Sequence, residues 1–128
     1  MKTYVMRLLP NDDLKESIIG FVKENNINAG YIASCGGSLK HAGLRLADEQ
    51  TKEFNGPFEI LSLSGTVSVN GCHLHISLGD KRGHGIGGHL KENCLIKTTA
   101  EIVIMELEDV KFDRILDRST GYKELVIR

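Results

Sequence analysis

The sequence predicts a domain of the α/β (α+β) class, with an antiparallel-rich sheet or barrel of about six to seven strands and one main helix. Runs in which apolar and polar residues alternate recur along most of the chain, as in strands with one buried face. Asn70-Gly71 lies between two such runs and is a strong hairpin signal. Helical periodicity is confined to one segment, between Asp13 and Asn25. We expect a single domain over residues 1–128, a length that can bury one core.

The N-terminal elements are a strand and the helix. Thr3 to Leu9 alternate loosely, and Pro10 ends the strand because it lacks a backbone donor. Asp13 and Glu16 have the spacing of a capping box, which marks the start of the helix. The apolar side chains recur every three or four residues, so we expect one face of the helix to pack against the sheet. Those side chains are Leu14, Ile18, Phe21 and Val22.

Two strands and a loop are expected next. The first strand covers Ala29 to Cys35 and the second covers Leu39 to Leu46, with a bulge or bend at Gly36-Gly37 between them. Polar residues from Asp48 to Asn55 predict a surface loop.

The hairpin around Asn70-Gly71 is the best-defined element of the sequence. Apolar and polar residues alternate from Leu61 to Val69 and again from Cys72 to Leu78. Counting outward from a two-residue turn predicts the register by keeping apolar residues opposite apolar ones. The predicted partners are Val69 with Cys72, Ser68 with His73, Val67 with Leu74 and Thr66 with His75.

The C-terminal half begins with a glycine-rich loop at Gly79 to Gly88. Leu95-Ile96 and Ile102 to Met105 predict a buried strand rich in β-branched residues. A charged segment and a short strand at Glu124 to Ile127 complete the chain.

Composition argues against nucleic-acid binding, cysteine-based metal or redox sites and membrane insertion. Sixteen basic and seventeen acidic residues give a net charge of −1, which gives no support for nucleic-acid binding. Three cysteines without a C-x-x-C pair are expected to be packed thiols. No apolar run reaches the length of a signal peptide or membrane span, so we expect a cytoplasmic protein without membrane contact.

Three histidines form the candidate site. His73 and His75 are two apart on one strand, so their rings leave the same face within about 7 Å of each other. Alone, such a pair is more often part of a solvated strand face. His89 supplies a third nitrogen across the glycine-rich loop, and three protein ligands plus water is the open arrangement of catalytic zinc. His84 is either a fourth ligand or, as we favour, a solvated side chain.

Other residue patterns that could carry chemistry have less support than the three histidines. The hydroxyls of Thr66 and Ser68 could bond the free ring nitrogens of metal-bound histidines. Gly83 to Gly88 fits the dinucleotide pattern G-x-G-x-x-G, but a strand rather than a helix is expected after it. Cys72 and His73 are neighbours on a strand and cannot form a nucleophilic pair. Cys94 with His89 remains open.

Several segments resemble the plants-and-prokaryotes-conserved (PPC) family over nearly the whole chain. Gly56 to Gly65, with the sequence GPFEILSLSG, is similar to the family's signature segment. Other matching segments are Ser34 to Leu39, Leu44-Arg45, Leu74 to Leu78 and Gly87 to His89. The resemblance implies a compact α/β fold and a homotrimer. Plant members attach AT hooks, whose Arg-Gly-Arg-Pro core is absent here, so the chain resembles the stand-alone prokaryotic type, a DNA-binding or regulatory protein.

The resemblance also implies two sets of site residues. A plant hexapeptide that contacts transcription factors is matched here except that Pro57 replaces its arginine, although such residues also suit a core strand. The matching residues are Gly56, Phe58, Glu59, Ile60 and Leu61. Stand-alone members are similar to acetolactate decarboxylases, whose zinc is held by an H-x-H pair and a later histidine, an order matched by His73, His75 and His89.

We therefore expect a trimeric regulatory protein with a divalent metal, zinc by preference. The alternative is a metal-dependent enzyme, similar to acetolactate decarboxylase, that acts on a small oxygenated substrate, with Glu59 or Glu101 as the carboxylate that moves protons.

Overall fold

One helix and eight strands make up the fold in the computed structural model, which describes residues 1–128. They are β1 (Lys2–Leu8), α1 (Leu14–Glu24), β2 (Gly30–Arg45), β3 (Thr51–Ser68), β4 (Gly71–Gly79), β5 (Gly85–Leu90), β6 (Leu95–Glu106), β7 (Phe112–Leu116) and β8 (Lys123–Ile127).

The main sheet has six antiparallel strands in the order β1-β6-β2-β3-β4-β5, and β5 also pairs with β2. Strands β2, β3, β4 and β5 therefore close on themselves as a small barrel. Strands β7 and β8 form a separate hairpin. The predicted fold class is confirmed. Strand β7 was not predicted and brings the number of strands to eight. The charged residues within Phe112–Leu116 interrupt the apolar pattern that would have indicated a strand.

Helix α1 follows the prediction closely. The Asp13 side chain accepts a hydrogen bond from the Glu16 backbone amide at 3.1 Å, so Asp13 is the N-cap. Leu14, Ile18 and Val22 are buried against the sheet. This helix, 11 residues long, is the only one in the fold, and it lacks the length needed to cross a bilayer.

The central strands are longer than expected. Strand β2 runs without a break through Gly36-Gly37, and its pairing shifts at several points instead of dividing into two strands. Strand β3 begins at Thr51, so the expected loop from Asp48 to Asn55 is mostly strand. Strand β5 begins at Gly85, which shortens the expected Gly79 to Gly88 loop by about half.

The β3–β4 register differs by two residues from the prediction. The observed partners are Ser68 with Gly71, Val67 with Cys72, Thr66 with His73 and Ser64 with His75. The turn residues are Val69-Asn70, and Gly71 belongs to β4 with a φ of 139°. Because the shift is even, each side chain keeps its predicted face. Leu61 is the exception: it is 60% exposed, since the pairing shifts between Ile60 and Ser62.

The main hydrophobic core contains 22 buried residues, which come from the helix and the main sheet except for Ile27 and Cys94 in the connections. On β4 the core residues are Leu74, Ile76 and Leu78. His73 and His75 alternate with them and therefore lie on the outer face of the barrel.

Candidate metal centre

Strand pairing places the three histidines side by side. His75 on β4 lies opposite Ser64 on β3 and opposite His89 on β5. His89 lies opposite Arg45 on β2. These four residues therefore form one row across the closed part of the sheet. His73 belongs to the adjacent row, two residues away on β4.

The three rings converge closely. The Nε2 atoms of His73 and His75 are 3.2 Å apart. The ring centroids of His73 and His89 are 5.2 Å apart, and those of His75 and His89 are 5.5 Å apart. One ring nitrogen from each histidine lies within 4.8 Å of the others. Zinc–nitrogen bonds of about 2.0–2.1 Å at tetrahedral angles place the nitrogens about 3.3 Å apart, so His73 and His75 already have this separation and a small movement of the His89 ring would complete the donor set.

Glycines bring the strands near enough for this convergence. A side chain at Gly65 would place its Cβ 1.9 Å from the His73 carbonyl oxygen, and Gly65 has a φ of 137°. A side chain at Gly88 would come within 2.7 Å of the Arg45 carbonyl oxygen. These positions therefore require glycine on both sides of the histidine row.

The environment keeps two of the rings neutral at physiological pH. Burial lowers the pKa of His89 to about 4, and the positive charge of Arg45 acts in the same direction. Burial also lowers the pKa of His73, assisted by the neighbouring His75. A neutral imidazole has an available lone pair, which is the form that binds metal.

Residues outside the histidine trio form the walls of the site. A cavity of about 370 Å³ is lined by Arg45, Glu49 and Tyr122 beside His75 and His89. The Arg45 guanidinium carbon lies 5.2 Å from the centre of the Tyr122 ring, within the range of a cation–π contact. The Tyr122 hydroxyl donates to the Glu49 carboxylate at 2.5 Å.

A second cavity, of about 300 Å³, lies on the His73 side of the trio. Thr66, Arg114 and Glu124 line it together with His73. Arg114 Nη2 donates to Thr66 Oγ1 at 2.9 Å. Sequence reasoning missed Arg45, Arg114, Tyr122 and Glu124 as site residues. Arg114, Tyr122 and Glu124 belong to the segment that forms the β7–β8 hairpin. The alternation of apolar and polar residues within 112–127 could have indicated this hairpin.

The hypothesis that Thr66 and Ser68 bond the histidines is wrong, whereas the expectation that no helix follows Gly83 to Gly88 is confirmed. The Thr66 hydroxyl accepts from Arg114, and the Ser68 hydroxyl lies 3.4 Å from the carbonyls of Gly71 and Phe112, so neither bonds a histidine. No helix follows Gly83 to Gly88, which excludes the dinucleotide motif. Glu59 and Glu101 line none of the cavities beside the histidines.

His84 and the cysteines stay outside the trio. The His84 side chain is 74% exposed and lies 4.0 Å from Asp80. Cys94 is fully buried, its Sγ lies 3.3 Å from the Gly43 carbonyl, and burial raises its pKa to about 11. A buried neutral thiol is a poor nucleophile, so a Cys94–His89 pair has no support.

The fold and site define a closed antiparallel β domain with an outward-facing three-histidine centre. The Plants and Prokaryotes Conserved (PCC) domain matches residues 1–108. The protein belongs to this family, which is the one that its sequence resembles.

Known relatives cover most of the chain. A bifunctional protein GlmU of Synechococcus is 44% identical over 129 residues and 99% of this chain, but the chain spans only about a fifth of that relative's length (21%). A hypothetical protein from Salmonella is 39% identical with a TM-score of 0.95, covering 99% of this chain and 93% of that one. The metal-containing protein AF0104 of Archaeoglobus fulgidus is 31% identical with a TM-score of 0.84, covering 98% and 94%.

More distant structures share the fold alone. A candidate DNA-binding protein from Bacteroides thetaiotaomicron is 23% identical with a TM-score of 0.87, covering 97% of this chain and 91% of that one. An alpha-acetolactate decarboxylase from Bacillus subtilis is 14% identical with a TM-score of 0.54, covering 81% and 52%.

Proposed function

We propose that this chain is a metal-binding regulatory protein that holds one divalent zinc ion on His73, His75 and His89 and acts as a homotrimer. The observation that carries the proposal is the convergence of three imidazoles, with two Nε2 atoms 3.2 Å apart. Three imidazole nitrogen donors favour borderline-soft metals such as zinc over magnesium or calcium, which prefer oxygen. The metal-containing relative from Archaeoglobus fulgidus supports the same proposal.

The test is elemental analysis of the purified protein before and after loading with Zn²⁺. We expect about one zinc per chain. His75→Ala removes the central member of the trio and should abolish retention through desalting. His84→Ala is the matched control, because its ring lies outside the trio and is 74% exposed. Equal zinc in the wild type and in His75→Ala, or none in the wild type, would refute the site.

The homotrimer is supported by exposed apolar side chains. Val5 and Ile127 are 71% and 68% exposed, and burial of these side chains against other subunits would be favourable. Light scattering coupled to gel filtration should give three times the chain mass of 14.1 kDa. A monomer mass at all protein concentrations would refute the trimer.

The resemblance to the family suggests a regulatory role through DNA binding, but the net charge of −1 does not favour contacts with phosphates. If DNA is bound, phosphate contacts should make retention fall steeply between about 50 and 200 mM salt. Absence of salt-sensitive retention would remove DNA and leave a protein or small ligand as the regulated partner.

The segment Gly56 to Leu61 is proposed as a protein-binding surface. Phe58 and Ile60 are buried, whereas Glu59 and Leu61 are exposed, so the latter two are the side chains that a partner could contact. Leu61→Ser should reduce partner capture without reducing the thermal stability of the isolated chain. Unchanged capture would assign the segment to the core alone.

A metal-dependent enzyme is the second candidate, favoured by Glu124, which lines the cavity beside His73. Three protein ligands leave a coordination position where zinc could polarise a carbonyl, and a carboxylate nearby could accept a proton. Turnover of a 2-hydroxy-3-keto acid that is lost in both His75→Ala and Glu124→Gln would support this candidate. Turnover that survives Glu124→Gln would eliminate the proposed base.

A further inference from the structure

We propose that the cleft in front of the three histidines binds a small oxyanion, a carboxylate or a phosphate, between the guanidinium groups of Arg45 and Arg114. The proposal deepens the metal-centre function and rests on it for the metal's share of the binding. The β7–β8 hairpin, through Arg114 and Tyr122, is then the element that determines which ligand is accepted.

Both guanidinium groups lack an acidic partner. No carboxylate oxygen lies within 4.0 Å of the guanidinium nitrogens of Arg45 or Arg114, although the Asp113 carboxylate accepts from the Arg114 backbone amide at 2.8 Å. Arg114 is half-buried, and its side chain makes one hydrogen bond, to the Thr66 hydroxyl. A guanidinium has five N–H donors arranged to match planar oxyanions, so most donors of each group remain available for a ligand.

The two arginines line one cleft. A cavity of about 390 Å³ is bounded by Arg45, Arg114, His73 and His89. Lys123 and Glu124 also line it, and their opposite charges cancel, so the two arginines decide the net charge of the walls. A divalent ion on the histidines would add two more positive charges. A small oxyanion bound between them would offset part of this positive charge.

Metal binding should release Arg45 toward the cleft. Arg45 Nη2 lies 3.5 Å from His89 Nδ1, and a guanidinium can only donate, so this contact uses the Nδ1 lone pair. A metal on Nδ1 takes that lone pair, whereas a metal on Nε2 leaves the ring proton on Nδ1. In either case Arg45 loses its acceptor. Metal and anion should therefore each strengthen the binding of the other.

Tyr122 fixes the direction in which Arg45 extends. Its ring lies 5.2 Å from the Arg45 guanidinium carbon, and its hydroxyl is held by Glu49. Tyr122 and Arg114 both come after residue 108, where the family match ends. The hairpin therefore supplies two side chains of the cleft in addition to the histidines of the matched domain.

The experiment is calorimetric titration of inorganic phosphate and, separately, malonate into zinc-loaded and metal-free protein. Arg45→Gln and Arg114→Gln should each weaken binding of the preferred anion at least about tenfold, since a charged hydrogen-bond donor is removed. Arg118→Gln is the matched control, because it removes one positive charge from the same hairpin at an exposed position outside the cleft. The tighter of the two probes identifies phosphate or carboxylate as the ligand class.

The outcomes separate this inference from the metal proposal. Phosphate or malonate binding that is unchanged in Arg45→Gln and Arg114→Gln, or absent from the zinc-loaded wild type, overturns the oxyanion cleft while leaving zinc binding intact. A chain that takes up no zinc refutes the metal centre, and arginine-dependent phosphate binding by the same metal-free chain would still support the cleft. Unchanged zinc stoichiometry in both arginine variants, measured alongside, excludes damage to the histidine trio.

Discussion

Replacing Gly65 with alanine should damage both the fold and the candidate site. The added Cβ would lie 1.9 Å from the His73 carbonyl oxygen, about 1.5 Å short of the 3.4 Å at which ordinary contact begins. Alanine at a φ of 137° also costs about 1–3 kcal/mol of backbone strain. If the β3–β4 ladder loses about two hydrogen bonds near His73, at about 1 kcal/mol each, the total is about 3–5 kcal/mol.

A loss of that size is easy to measure. For 128 residues with an unfolding entropy of about 2.1 cal/mol/K each, a loss of about 3–5 kcal/mol in the free energy of unfolding lowers Tm by about 10–20 °C. Calorimetry or denaturant unfolding would give the value. Gly20→Ala is the control: a Cβ there meets nothing within 4 Å, and alanine in a helix should add about 0.5–1 kcal/mol. If Gly65→Ala costs less than about 1 kcal/mol, the close-approach argument is wrong.

Three further predictions concern the site, a buried thiol and the hairpin. Zinc at about a hundred times its Kd should stabilise the protein by about 2.7 kcal/mol, a rise of about 10 °C in Tm. His89→Ala should abolish this stabilisation, whereas His41→Ala should not, because the His41 ring contacts Glu53 outside the trio. Burial raises the pKa of Cys94 from 9.0 to about 11. Because the folded state favours the neutral thiol, the contribution of Cys94 to the free energy of unfolding is complete below pH 9 and falls between pH 9 and 11. Cys94→Ser should therefore flatten this part of the stability profile in denaturant titrations, and an identical slope would contradict it. Phe112 is buried and its backbone amide donates to the Asn28 carbonyl, so Phe112→Ala should speed proteolysis within residues 117–122, and an unchanged cleavage rate would show that the hairpin is anchored elsewhere.

The sequence was sufficient for the elements with local signals. The cap at Asp13 and the alternation around His73 and His75 each depend on a few neighbouring residues, and both predictions agree with the structure. The hairpin register was wrong by two because Gly71 adopts a positive φ inside β4 rather than within the turn, which composition does not distinguish.

The walls of the site could not be predicted in the same way. Arg45 reaches the histidines because β5 pairs with β2, a contact across more than 40 positions that no local pattern encodes. Arg114 and Tyr122 arrive through the packing of a hairpin whose charged residues resemble a solvated segment. The three histidines were found because their chemistry is distinctive, whereas arginine is common on every surface.

The closure of β5 between β4 and β2 has a consequence for how the centre could be used. His89 lies on a strand that is hydrogen-bonded on both sides, above an interior of buried apolar side chains. Because side-chain packing forms this core, the scaffold should, unlike a zinc finger, survive the loss of a metal from the trio. Metal occupancy of the trio could then change with the metal concentration while the fold stays constant, which is the property required of a reversible metal sensor.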